Sequence, residues 1–347
     1  MASILDIKRC KDDFIKKKGK SSEYTKNGYS FIFKHLEKFC LNKYNSSLEE
    51  LIEELALTEN SQEQVENLLQ SYIDELETEN KSTDTVMGYA SLAKNYLKYR
   101  RVKFDKDELD LSYKNSVKEE LHPITKKEIK SLMDNSNFVW KTKIFMMSSG
   151  GFRISELLGV RKCDINRELE RYSVYIRAEF AKGHRARTTL ISIEAMEYVD
   201  KLLENMNEND LLFPHETKIR RNAVMTNVIY FQKIAEKAGL NMRYENSNTH
   251  KITTHSFRSF FVSQFEKTYS GFGHALSGHS KYMKQYERFT MGEKIEKYIE
   301  TEKHLLIYSE NDQKEKRELT ELKVKVARLE GLLDDKVKLQ AFIDSKI

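Results

Sequence analysis

Between Glu23 and Arg100 apolar side chains recur every three or four residues. Tyr29, Phe33, Leu36 and Cys40 form one stripe, and Val65, Leu68, Leu69, Tyr72, Ile73 and Leu76 form a second. That spacing keeps one face of a helix dry, so amphipathic helices are expected in both places. A third helix begins near a Ser82/Thr83 cap and carries Val86, Tyr89, Ala90, Ala93, Tyr96 and Leu97. It runs into the basic residues of Lys98 to Lys103, which suit the negative end of a helix dipole. The first hundred residues thus predict a small all-helical bundle. Asp105 to Glu120 is polar, charged and weakly periodic, the pattern of a linker.

Order resumes at His122-Pro123-Ile124-Thr125, where Thr125 can cap a helix and Glu128, three residues on, can return the bond to complete a capping box. Helical spacing continues through Ile129, Leu132, Met133, Phe145 and Met146, breaks at Gly150-Gly151, and resumes from Phe152 to Val160. Tyr172 to Ala178 then alternates polar and apolar, Lys182-Gly183-His184 makes a turn, and a β-branched run follows from Thr188, so a hairpin is expected. After Pro214 the pattern is helical to Gly239, and Asn241 to His250 reads as a polar loop. In the tail, Leu319, Leu322, Val326, Leu329 and Leu333 repeat at coiled-coil spacing. Such a helix can pack on its own domain or contact a neighbouring protomer. The pattern predicts a mainly α chain with a small β-hairpin or sheet (α+β), divided into a helical domain (1–104), a linker (105–121), a second domain (122–309) and a helical, coiled-coil-like tail (310–347).

Composition narrows the class. The 347 residues contain 2 Pro and 13 Gly, with 39% hydrophobic and 33% charged residues, which excludes collagen-like and low-complexity chains. No apolar run is long enough to span a bilayer and the amino terminus has no signal-peptide core, so an intracellular protein without membrane contact is expected. Cys10, Cys40 and Cys163 are far apart and lack C-x-x-C pairing, which argues against disulfides and zinc. The net charge of +5 is small but unevenly spread. Ser46 to Asn80 holds 11 acidic residues and no Lys or Arg, whereas Trp140 to Thr290 holds 24 Lys+Arg against 16 Asp+Glu. A basic second domain can face phosphates, although a mixed charged surface is also ordinary.

Motifs of nucleotide hydrolases, zinc proteases and α/β-hydrolases are missing. A spread-out cationic set remains. Gly151-Phe152-Arg153-Ile154-Ser155-Glu156-Leu157-Leu158 puts Arg153 at a helix start among inward-facing residues, where a structural ion pair is the simpler reading. Thr254-His255-Ser256-Phe257-Arg258 puts His255 and Arg258 at i and i+3, on one helix face. Leu276-Ser277-Gly278-His279 sets a further His after a glycine, with Tyr282 and Tyr286 following at a spacing of four.

In their order, these elements resemble the tyrosine recombinase (phage integrase) family over about Pro123 to Thr290, and the amino-terminal bundle resembles that family's helical, SAM-like core-binding domain. The resemblance implies that Arg153 and Arg258 clamp the scissile phosphate, that Lys182 is the hairpin lysine, that His255 and His279 support them and that Glu156 is an orienting acid. Tyr286 would be the nucleophile and Tyr282 is the alternative. Most members carry the nucleophile nine residues after the second His, where this chain has Arg288; its tyrosines lie three and seven residues on, as in a shortened archaeal-type variant.

Phenol attack on a phosphodiester builds charge on the non-bridging oxygens, and two guanidiniums offer fixed forks that stay charged. The family chemistry needs no metal, ATP or other cofactor. It implies a covalent 3′-phosphotyrosyl intermediate, a Holliday junction, double-stranded DNA as partner, a homotetramer on paired sites, accessory DNA-bending proteins and a cytoplasmic, DNA-associated location. Competing readings are a type IB topoisomerase-like enzyme and a non-catalytic DNA-binding or coiled-coil adaptor that retains the fold.

Overall fold

The computed structural model describes residues 9–21, 23–115, 119–215, 220–245, 247–279 and 289–308. Tyr282, Tyr286 and the heptad-bearing tail lie outside the described residues. No helix among the described residues is long and apolar enough to cross a membrane. The chain divides into two compact units, residues 1–120 with 245–247, and residues 121–244 with 248–347.

The first unit holds α1 (Lys11–Lys18), α2 (Glu23–Tyr44), α3 (Leu48–Leu57), α4 (Gln62–Thr78) and α5 (Thr83–Tyr99). The expected stripes face inward: Phe33, Cys40, Tyr72, Ile73, Leu76, Val86 and Tyr96 are all inaccessible to solvent. Ser47 and Glu50 form a capping box on α3, and the Ser82 hydroxyl caps α5 at Thr85. Phe14, Phe33 and Tyr96 meet edge to face, with centroids 5.8 Å and 4.7 Å from Phe33.

The segment expected as a linker is attached to the first unit. Residues 105–115 form no helix or strand, yet they belong to the first unit and are laced to α4. Gln62 exchanges two hydrogen bonds with the Asp105 backbone, and Gln70 does the same with Ser112. Glu66 and Glu77 accept from the backbone N–H groups of Asp110 and Lys114. Gln62, Glu66 and Gln70 stand four residues apart on one helix face, so their side chains satisfy an extended backbone that has no sheet to join. Polarity alone suggested a free connector because polar side chains, not apolar ones, make this attachment.

In the second unit α6 (Lys126–Asp134) starts at the expected Thr125/Glu128 capping box. α7 (Phe138–Gly150) is buried from Thr142 to its end, sits at the centre of the core and stops at Gly151, whose φ is +64°. The short α8 (Ile154–Leu157) follows. Strands β1 (Ile165–Asn166), β2 (Ser173–Ile176) and β3 (Arg187–Leu190) form an antiparallel sheet in the order β1-β2-β3, with Tyr175 opposite Thr188. The expected hairpin is thus present with a two-residue edge strand added. Next come α9 (Ile193–Leu203), α10 (Arg220–Lys237), α11 (Thr254–Phe265), α12 (Phe272–Ser277) and α13 (Met291–Leu305). The segment read as a polar loop contains a short antiparallel bridge between Arg243 and His250, leading directly into α11.

α13 is fastened by polar groups as well as by packing. Arg171 clasps Glu302 at 2.6 to 3.0 Å, and the same carboxylate accepts from the Ile193 N–H. The fully buried Tyr298 hydroxyl donates to the Ser149 carbonyl on α7. Past the helix end, Glu194 accepts from the backbone N–H groups of Ile307 and Tyr308.

Candidate active site

Arg153 occupies the N-cap position of α8 in extended backbone geometry. Its N–H donates to Glu156 Oε2 at 2.8 Å and its Nη1 donates to Oε1 at 2.7 Å, so one carboxylate caps the helix and orients the guanidinium. Glu156 is 1% exposed and accepts a second fork from Arg187, at 3.0 and 2.7 Å. Burial pushes the Glu156 carboxyl up, but the hydrogen bonds and charge of Arg187, then those of Arg153, outweigh it and hold it below the usual range. Glu156 is therefore ionised.

Arg187 was not among the residues singled out from the sequence. It opens β3 facing inward, and its Nε donates to the Leu276 carbonyl at the end of α12. There Gly278 caps the helix at φ +87°, and a Cβ on it would lie 2.9 Å from Arg187 Cδ. Only glycine suits both the left-handed backbone and the passing side chain. Strand alternation gave a weak signal for an inward Arg187; nothing local named its partner.

α11 presents the second cationic pair. Thr253 and Ser256 form its capping box, His255 lies in the first turn, and Arg258 follows three residues later. The two side chains differ in setting: His255 is exposed, whereas Arg258 is 1% exposed. Arg258 Nη1 donates to the Gly151 carbonyl at 2.8 Å, its Nη2 stands 3.4 Å from His279 Nε2, and its Nε has no partner among the described residues. No carboxylate pairs with Arg258 among the described residues. Burial, and next the charge of Arg153, pushes its pKa down to about 9, still protonated at neutral pH.

His279 sits just beyond α12 with Nδ1 2.7 Å from Nδ1 of His274. Burial, then the charges of Arg258, His274, Arg153 and His255, pushes it down to about 4. Desolvation of the part of its ring turned into the site, then the charges of Arg258, Arg153 and Lys182, likewise push His255 below its ordinary value. Both rings are neutral at pH 7. Lys182 is exposed in the β2–β3 connection, next to Gly183 at φ +81°. A second residue missing from the sequence expectations, Arg220, braces that connection: it donates to the carbonyls of Glu179 (2.8 Å), Phe180 (2.6 Å) and Ser155 (3.3 Å), and lies 4.7 Å from the Phe180 ring.

The structure thus brings Arg153, Lys182, His255, Arg258 and His279 into one electrostatically coupled site, with Glu156 beneath it. The side wall is a cleft of about 460 Å³ lined by His255, Arg258, Ser259, Val262, Ser263, Glu266, His274 and His279. No group of three or more His, Cys, Asp or Glu arranged to hold a metal occurs among the described residues. A site whose cations, Arg153, Lys182, Arg187 and Arg258, outnumber its carboxylates, Glu156 and Glu266, can hold a polyanionic ligand such as a phosphodiester.

Residues 122–269 match the model of the phage integrase family. No curated protein matches the chain. Among solved structures, the Tn1549 transposon integrase in complex with circular intermediate DNA aligns with a TM-score of 0.55 at 14% identity, over 82% of this chain and 96% of that one. A lambda integrase dimer bound to a COC' core site aligns with a TM-score of 0.50 at 15% identity, over 81% and 97%. These likenesses extend the shared fold across both units. Residues 122–269 are thus similar to the phage integrase family, and the chain shares the fold of the integrases whose structures align with it.

Proposed function

We propose that this chain is a site-specific recombinase that cleaves and rejoins duplex DNA through a covalent 3′-phosphotyrosine, with Arg153 and Arg258 holding the scissile phosphate. The observation that carries the reading is the Arg258 guanidinium. It is almost wholly buried and, among the described residues, lacks a carboxylate partner and has no partner on Nε. A charge taken out of water without a counterion is costly, and a phosphodiester supplies that counterion. Arg153, already oriented by Glu156, is the second arm.

Chemistry follows from charge placement. As a phenol attacks phosphorus, negative charge grows on the non-bridging oxygens, and preorganised guanidiniums stabilise it more than they stabilise the ground state. Lys182 is the proton donor for the departing 5′-oxygen. Neutral His255 and His279 hydrogen-bond the reacting groups without adding to the cationic repulsion. Tyr286 is the assigned nucleophile, with Tyr282 the alternative. The phosphotyrosine link conserves the bond energy, so a second 5′-hydroxyl reseals the strand without ATP, metal or another cofactor. Exchange of two strand pairs then passes through a Holliday junction in a homotetramer on paired sites. The Tn1549 transposon integrase, which aligns with this chain in its complex with circular intermediate DNA, supports double-stranded DNA as partner. The helical first unit is assigned to DNA core binding.

The test is a denaturing gel for covalent protein–DNA adducts, using nicked duplexes from the DNA flanking its gene, in EDTA, with wild type, Tyr286→Phe and Tyr282→Phe. An adduct lost only in Tyr286→Phe is the expected result. Loss only in Tyr282→Phe moves the nucleophile four residues. Tight DNA binding without any adduct would overturn the enzymatic reading in favour of an adaptor.

A further inference from the structure

His274, on α12, has no role in the assignments above. We infer that His274 is a positioning residue for strand cleavage: it fixes the tautomer of His279 and receives its Nδ1 proton while His279 Nε2 takes the proton of the attacking phenol. The inference rests on the assignment of His279 to the cleavage machinery.

The geometry sets the tautomer. The two imidazoles lie with centroids 4.8 Å apart and their Nδ1 atoms 2.7 Å apart, so one Nδ1 donates and the other accepts. Arg258 Nη2 faces His279 Nε2, and a guanidinium can only donate. Nε2 of neutral His279 is therefore the acceptor, its proton sits on Nδ1, and Nδ1 donates to His274. Ser277 Oγ, 3.4 Å from the same Nδ1, donates to the His274 carbonyl at 3.0 Å. His274 thus leaves the His279 Nε2 lone pair on the side of the phosphate clamp.

Charge explains why a second ring is useful. His279 is faced by Arg258, His255 and Glu266 from α11, Arg153 from the start of α8, His274 from α12, and Arg187 from β3 beneath Gly278. A proton retained on its Nε2 edge with Nδ1 still protonated would place a full positive charge against Arg258. Passing the Nδ1 proton on moves that charge to the ring bonded to the other nitrogen. In the step, Arg258 Nη2 exchanges its 3.4 Å contact with His279 Nε2 for a phosphate oxygen, the phenol O–H breaks as His279 Nε2–H forms on the freed lone pair, and His279 Nδ1–H breaks as His274 Nδ1–H forms. The phenol oxygen bonds to phosphorus while the 5′-oxygen leaves with its bonding pair and takes a proton from Lys182. His274 ends as an imidazolium and returns the proton on resealing.

The experiment is a double-mutant cycle on single-turnover adduct formation with the nicked duplex, in the full chain, comparing wild type, His274→Ala, His279→Ala and the double variant from pH 5.5 to 9. His274→Ala is expected to slow cleavage by about a hundredfold or more, the range that a proton-transferring group supplies, with DNA affinity unchanged. It should add nothing in the His279→Ala background, and the ¹⁵N shifts of His279 should lose their Nδ1–H signature. If His274→Ala unfolds, His274→Asn, which keeps an acceptor, takes its place in the cycle. Equal slowing in both backgrounds, or wild-type cleavage by His274→Ala, would overturn the relay alone. Wild-type cleavage by His279→Ala would overturn the assignment beneath it, and the relay with it.

Discussion

Arg153 and Arg187 close on the one carboxylate of Glu156, so each arginine determines what the other meets. Replacing Arg187 with Met leaves a fully buried carboxylate short of two hydrogen bonds. Breaking a buried pair from one side costs about 3–5 kcal/mol, and a urea titration should show a loss of that order. Arg187→Lys should recover only part, because an ammonium cannot span both oxygens; wild-type stability in either variant would show that Glu156 does not depend on the fork. His279 gives a pH signature. Its folded pKa of about 4 lies below the ordinary 6.5, so between those values the unfolded chain binds a proton that the folded chain does not. The stability contributed by neutral His279 is fully present above pH 6.5 and is lost as pH falls toward 4. His279→Gln should therefore lose less stability than wild type between pH 7 and pH 5, read as the change in urea midpoint.

Elements are held by contacts whose partners are remote in sequence. Glu302 on α13 binds Arg171, before β2, and the Ile193 N–H at the start of α9. Glu302→Ala strands a largely buried arginine and should lower stability by about 3–5 kcal/mol, in calorimetry of the full chain; a loss confined to a few tenths would mean that apolar packing alone holds the helix. The lacing of residues 105–115 to α4 makes a different forecast. Gln62→Ala with Gln70→Ala removes four side-chain to backbone hydrogen bonds, so limited proteolysis should cut within 105–115 several-fold faster while the helical circular dichroism is unchanged. At this scale the sequence was informative where apolar period or a cap decides: the α4 stripe, the Thr125 box and the stop at Gly150-Gly151 were all legible. The attachment of 105–115 was not, because a Gln that bonds a distant backbone looks in sequence like any solvated Gln.

Each unit has its own buried apolar cluster, one centred on Phe33, Tyr72 and Tyr96 and the other on α7, Phe257 and Phe261. Residues 1–120 made alone should consequently fold to a helical unit with a cooperative thermal transition; a non-cooperative melt would show that this core depends on the rest of the chain. The acidic run from Ser46 to Asn80 supplies internal partners: Glu49 binds Arg100 and Tyr96, Glu79 binds His35, and Glu66 and Glu77 hold the following segment. By itself the sequence determined the helical period, the caps, the glycine stops, the hairpin and the order of the cationic motifs, because these depend on residues close together along the chain. Only the tertiary structure decided that Arg187 shares Glu156, that Arg220 braces the Lys182 connection, that Arg258 is buried without a carboxylate among the described residues and that His274 meets His279. Desolvation and hydrogen bonding act through space, and segments from Gly151 to His279 must fold together before any of those charges acquires its partner or its pKa.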